Sequence, residues 1–142
     1  HPLLERPSVG FVGLSNWAID PAKMNRGVVL SRSDPLKEDL ICTALGIAHD
    51  APQTQSHLLQ LTDLYMHIYE NCQPKRDFYG LRDFFSMIKM LRFAEKYQER
   101  KVTFSLLKEI VERNFGGSIC TESILQSFVQ RFSNEACSIC PE

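Results

Sequence analysis

The sequence has no apolar run approaching the ~18 residues that a membrane span needs. It has no basic-then-apolar leader at its N-terminus. No Gly-Lys-Ser or Gly-Lys-Thr occurs, so no phosphate-cradling loop of the P-loop type is present. No apolar run ends in a paired Asp-Glu that could hold magnesium, and no RING-type zinc pattern is found. Internal repeats and low-complexity segments are also lacking. Net charge is -1, which gives the whole molecule no electrostatic preference for nucleic acid or membrane.

What remains is an ordinary globular composition. The 142 residues are 44% hydrophobic and 23% charged, enough for one domain with a real core. The start at His1 rather than Met suggests a processed or excised product. The five cysteines, Cys42, Cys72, Cys120, Cys137 and Cys140, are an odd number. With no sign of secretion, they read as reduced thiols. Cys137 and Cys140 have metal-ligand spacing but form only half a site, so no metal is expected. His49, His57 and His67 do not cluster with a cysteine or an acid, and they read as surface or satisfied core residues. Residues 74–115 carry ten Lys/Arg against six Asp/Glu. That excess reads as a solvated helix face.

Patterning divides the chain near Ser33. Residues 9–14 and 28–31 are short apolar runs that read as two buried strands of a parallel sheet. Between them, Asp20-Pro21 offers an N-cap followed by proline for a short helix. Two strands make no stable sheet, so further strands are expected from outside the chain. Helical spacing then predicts helices at about 36–48, 55–70, 81–98, 104–114 and 122–133. Asp34, Thr103 and Thr121 are the candidate caps, and Gly116-Gly117 is a stop. The stripe Leu81, Phe84, Phe85, Ile88, Leu91 is the strongest in the chain. The expected fold is therefore an α/β remnant over 1–33, a helical subdomain over 34–117, and a further helix and tail over 118–142.

Three residues carry candidate chemistry. Asn16 follows the carboxyl end of an expected strand, the edge where open α/β sheets bind ligands. Its amide could hold a water and a phosphate oxygen without adding charge; it could equally be a turn residue bonding its own backbone. Arg26 could reach a phosphate outside its own domain or simply cap the short helix. Arg82 opens the strongest helix, where free N–H groups and the dipole favour an anion and a guanidinium adds a bidentate contact. Asp83 either serves the first helical turn, orients Arg82, or forms a weak surface pair with it.

The order strand, Asn16, Asp20-Pro21-Ala22, Asn25-Arg26-Gly27, strand, then a helical lid with Gly80-Leu81-Arg82-Asp83 resembles the distal half of an AAA+ ATPase module. The stretches Gly13–Gly27 and Phe78–Met90 are similar to those of giant dynein-like AAA+ RING-type ubiquitin ligases. The resemblance implies that Asn16 is the sensor 1 residue, Arg26 an arginine finger and Arg82 the sensor 2 arginine. It assigns catalytic roles to Asn16 and Arg26, and nucleotide contact to Asn16 and Arg82. It further implies ATP and Mg2+ in the complete module, with none held by this chain alone. The implied partners are neighbouring AAA+ modules, ubiquitin, a ubiquitin-conjugating enzyme and substrates, in a cytosolic parent linked to lipid droplets and to defence against intracellular pathogens. The parent would be an ATPase and ubiquitin transferase, and the chain alone inactive. Alternatives are a catalytically silent structural AAA+ module and a stand-alone helical interaction module over 34–133.

Overall fold

The computed structural model describes residues 10, 12–15, 20–25, 27–31, 34–75 and 78–136. The chain divides into two compact units, His1–Asp34 and Pro35–Glu142.

In the first unit the described residues form one short helix, α1 (Pro21–Met24). The Asp20 carboxylate accepts the Ala22 N–H at 2.9 Å, as the Asp-Pro signal predicts. The two expected strands are not found: residues 12–15 and 28–31 lie outside any helix or strand. Val12, Leu14, Val28 and Leu30 are each more than 85% exposed. The α/β reading is thus corrected to an all-helical fold among the described residues. The physical reason is that an apolar run supplies side chains for a sheet but not the neighbouring N–H and C=O groups that make a ladder. Two short runs with glycines at positions 10, 13 and 27 cannot supply them for each other.

The second unit is a bundle of α2 (Lys37–Ile47), α3 (Pro52–Ser56), α4 (Leu58–Asn71), α5 (Leu81–Tyr97), α6 (Phe104–Phe115) and α7 (Thr121–Ala136). Helix α5 runs through it and packs on α2, α3 and α6; α7 packs on α4 and α6. Helices α4 to α7 each bury a stripe at helical spacing, as an amphipathic helix requires, whereas α2 buries only Leu40 and Ala44 and the short α3 only Thr54. Leu61, Leu64, Tyr65 and Ile68 of α4 meet Phe84, Met87, Ile88 and Leu91 of α5 in one continuous core. Leu107, Val111 and Phe115 of α6 and Ile124, Phe128 and Phe132 of α7 extend it.

The helix boundaries follow the expected stripes, but several caps differ. Asp34 does not cap α2; Asp39, inside the first turn, accepts the Leu36 N–H at 3.1 Å. The single helix expected at 55–70 is two, interrupted at His57, because Pro52 starts an earlier turn. The Glu95 carboxylate of α5 anchors that turn. It accepts the N–H groups of Gln53 (3.0 Å) and Thr54 (2.8 Å), and the buried Thr54 hydroxyl at 2.8 Å. Thr103 caps α6 through the Leu106 N–H. At the other end, the Gly116 N–H closes on the Glu112 carbonyl at 2.8 Å. A Cβ at Gly116 would collide with that same carbonyl, and Gly117 has φ +78°, so the glycine pair ends the helix for steric reasons. Thr121 does not bond forward into α7 as a cap; its hydroxyl is engaged with the backbone of Ser118.

Asp50 and Arg92 form a two-point ion pair, 2.6 and 3.0 Å, between the α2–α3 connection and α5. The Arg92 guanidinium holds the Asp50 carboxyl down at about 2, against an ordinary 3.8. A lowered carboxyl pKa stabilises the fold above the unfolded value and loses that contribution on acidification. Stability conferred by this pair should therefore be fully present above about pH 4 and disappear as pH falls towards 2. Acid titration of the melting temperature checks this: Asp50→Asn should flatten that part of the profile.

Candidate functional site

Arg82 is the candidate residue whose surroundings are described; Asn16 and Arg26 lie outside the described residues, so their expected roles rest on sequence. Arg82 sits in the first turn of α5 with an exposed side chain. Among the described residues it forms no ion pair, so its guanidinium is available to an outside anion.

Asp83 does not orient it. The Asp83 carboxylate instead turns back to accept the Gly80 N–H at 2.8 Å, which fixes the start of α5. The weak Arg82–Asp83 surface pair considered from the sequence does not form either. The first turn is held from the loop side as well. The Gln73 side-chain amide brackets the Tyr79 backbone, donating to its carbonyl at 2.8 Å and accepting its N–H at 2.7 Å. The buried Tyr79 hydroxyl donates to the Phe115 carbonyl at 2.7 Å and lies 2.8 Å from Ser118 Oγ. Arg82 is therefore carried on a helix end tied to the α6–α7 junction rather than on a loose loop.

Sequence reading missed Gln73, Tyr79 and Glu95. Their partners lie 6 to 42 residues away, so no short spacing signals them. A polar or aromatic residue flanking an apolar stripe is the one available hint, and it names no partner.

An exposed guanidinium at a helix start offers two parallel donors to an anion. Among the described residues no group of three His, Cys, Asp or Glu is arranged to hold a metal. Cys137 and Cys140 lie outside the described residues. Of the other cysteines, Cys42 is exposed, Cys72 buried and Cys120 partly buried, all as free thiols. Among the histidines, His49 lies 3.2 Å from the Gly46 carbonyl, His57 2.7 Å from the Gln53 carbonyl, and His67 beside Asn71. No described helix is long and apolar enough to cross a membrane.

Comparison with known proteins gives first a class of domain. Residues 3–39 match the family model described as the RNF213 AAA domain, a segment that includes both Asn16 and Arg26. The particular proteins that the chain resembles include E3 ubiquitin-protein ligase RNF213, or mysterin, from more than one organism. The chain is 37% identical to the Homo sapiens protein over an alignment 150 positions long that covers 97% of this chain and 3% of that protein. It is 40% identical to E3 ubiquitin-protein ligase rnf213-beta of Danio rerio over an alignment of 149 positions that covers 94% of this chain and 3% of the relative. The Mus musculus RNF213 is 40% identical over 129 residues, 82% of this chain and 2% of the relative. The chain thus resembles one small segment of these ligases, and Arg82 falls in the part beyond the AAA-domain match. No solved structure matches it.

Proposed function

We propose that the chain is the nucleotide-sensing and module-contacting part of an AAA+ ATPase module in an RNF213-like ubiquitin ligase. The observation that carries this reading is Arg82: an exposed arginine, without an ion pair among the described residues, on a helix start held by Asp83, Gln73 and Tyr79. The AAA-domain match over Asn16 and Arg26 supports it independently.

In this reading Asn16 positions water and the terminal phosphate as sensor 1, and Arg82 contacts the phosphates as sensor 2. Arg26 reaches the nucleotide of the neighbouring module in a dynein-like ring. Mg2+, when bound with ATP, offsets phosphate charge and is held by residues outside this chain. Arg82 stands on α5, and Tyr79 ties the start of α5 to the α6–α7 junction. A pull on Arg82 would therefore be delivered to the whole bundle, which turns as one body in a hinge motion. Ubiquitin, a conjugating enzyme and substrates would meet other parts of the ligase, in the cytosol and at lipid droplets.

ATP calorimetry with the chain alone tests the assignment of phosphate binding to sequence outside it. No saturable heat is expected; tight binding would contradict the reading. A second reading, an autonomous helical interaction module, draws on the self-contained core of Pro35–Glu142. It assigns Arg82 no ligand, so nucleotide dependence of Arg82 variants separates the two.

A further inference from the structure

A groove of about 370 Å³ runs between α5 and α6, starting at Ser86, one helical turn beyond Arg82. Its floor is apolar, formed by Met90, Phe93 and Ile110. Phe93 is 52% exposed, and its ring packs at 5.4 Å on that of Tyr97, itself 66% exposed. Asn114 donates its side-chain amide to the Met90 sulfur at 3.3 Å and so holds the floor in place. The rim carries Lys89, Arg100 and Arg113. Its acid, Glu109, is already paired with Arg100 at 2.9 Å, and that contact lowers its pKa. Lys89 and Arg113 are exposed and form no salt bridge among the described residues.

The cationic rim is a consequence of where the acids of this region go. Residues 74–115 hold ten basic and six acidic residues. Asp83 is engaged at the start of α5, Glu95 at the start of α3, Glu109 with Arg100, and Glu112 with Lys108. Glu99, exposed beside Arg100, is the further described acid of this stretch, and Lys89 and Arg113 remain without a salt bridge among the described residues beside the exposed Phe93 ring. A flat anionic surface would use the charges but not the concavity. A groove of this size takes one or two large side chains, with acids placed to meet the rim on either side.

We propose that the α5–α6 groove docks an acidic peptide segment of a partner protein, seating one aromatic or large aliphatic side chain on Met90, Phe93 and Ile110 between carboxylates that meet Lys89 and Arg113. Fluorescence anisotropy on the intact chain tests it, using a labelled peptide with a central Leu-Phe pair flanked on each side by two Glu. Saturable binding that weakens with added salt is expected. The double variant Lys89→Glu/Arg113→Glu should weaken it about tenfold, as loss of two charge pairs predicts. That variant should also come to prefer the same peptide with Lys in place of Glu. Phe93→Ala should weaken both peptides. Because Lys89 and Arg113 are exposed, the charge-reversed protein keeps the test valid even if Phe93→Ala lowers stability. Equal binding of an all-Glu peptide, no binding of either peptide, unchanged binding by the charge-reversed protein, or preference for phosphatidylserine vesicles would overturn the proposal.

Discussion

Alanine at Arg26 is expected to slow ATP turnover roughly 10³-fold in an RNF213-like ring, the low end of what a charge-neutralising arginine finger contributes. An arginine that reaches a neighbour's nucleotide acts on charge developing in the transition state. Its loss should lower kcat while leaving ATP affinity of its own module nearly unchanged. Lysine should restore little, because a point charge cannot reproduce the two-pronged contact of a guanidinium. The competing account, an arginine that merely caps α1, predicts no kinetic effect. The short helix already closes through its own backbone, with the Asn25 N–H on Pro21 at 3.1 Å and the Gly27 N–H on Met24 at 3.3 Å. Steady-state ATP hydrolysis with and without the substitution distinguishes the accounts.

The second large effect is on stability. Phe84 is fully buried, with its ring 4.8 Å from that of Tyr65 and 5.4 Å from that of Phe85. Phe84→Ala removes a large apolar surface and leaves a cavity between α4 and α5, at a cost of about 3–5 kcal/mol. Domains of this size are stable by roughly 5–15 kcal/mol, so the variant should be close to unfolding. Phe93→Ala on the same helix should change stability by about 0.5 kcal/mol or less, since Phe93 is half exposed. Urea midpoints for the two variants check the contrast. Phe84 lies two residues beyond Arg82, so the same burial that stabilises the bundle also fixes the helix on which Arg82 is displayed.

The helical part was legible because its information is local and periodic. Phe84, Ile88 and Leu91 fall on one side of α5 whatever they pack against, and Gly116-Gly117 stops α6 through sterics within a single turn. The two apolar runs near the N-terminus misled for the complementary reason. Val28, Val29 and Leu30 have the composition of a buried strand, yet a strand exists only with partners, and composition says nothing about whether they are present. At the candidate site the sequence pointed to Arg82 but not to what holds it. Of the readings open for Asp83, service to the first helical turn is the one observed, its carboxylate reaching back to the Gly80 N–H, and neither orientation of Arg82 nor a pair with it is. Tyr79 reads as one more aromatic in a loop, and its bond to the Phe115 carbonyl crosses 36 positions of chain. Glu95 reads as a solvated charge and is instead the anchor of a helix start 41 residues earlier.

In the proposed function Arg82 senses nucleotide. The most direct test is ATP affinity in an RNF213-like module joined to its phosphate-binding loop, compared between the parent protein and Arg82→Ala. An exposed arginine with no ion pair among the described residues should cost almost nothing to remove from the fold, so the melting temperature without nucleotide should not move. Losing a charge-assisted phosphate contact should raise the Kd for ATP about tenfold. Unchanged affinity with an unchanged melting temperature would contradict the account and leave Arg82 as a surface residue of an interaction module.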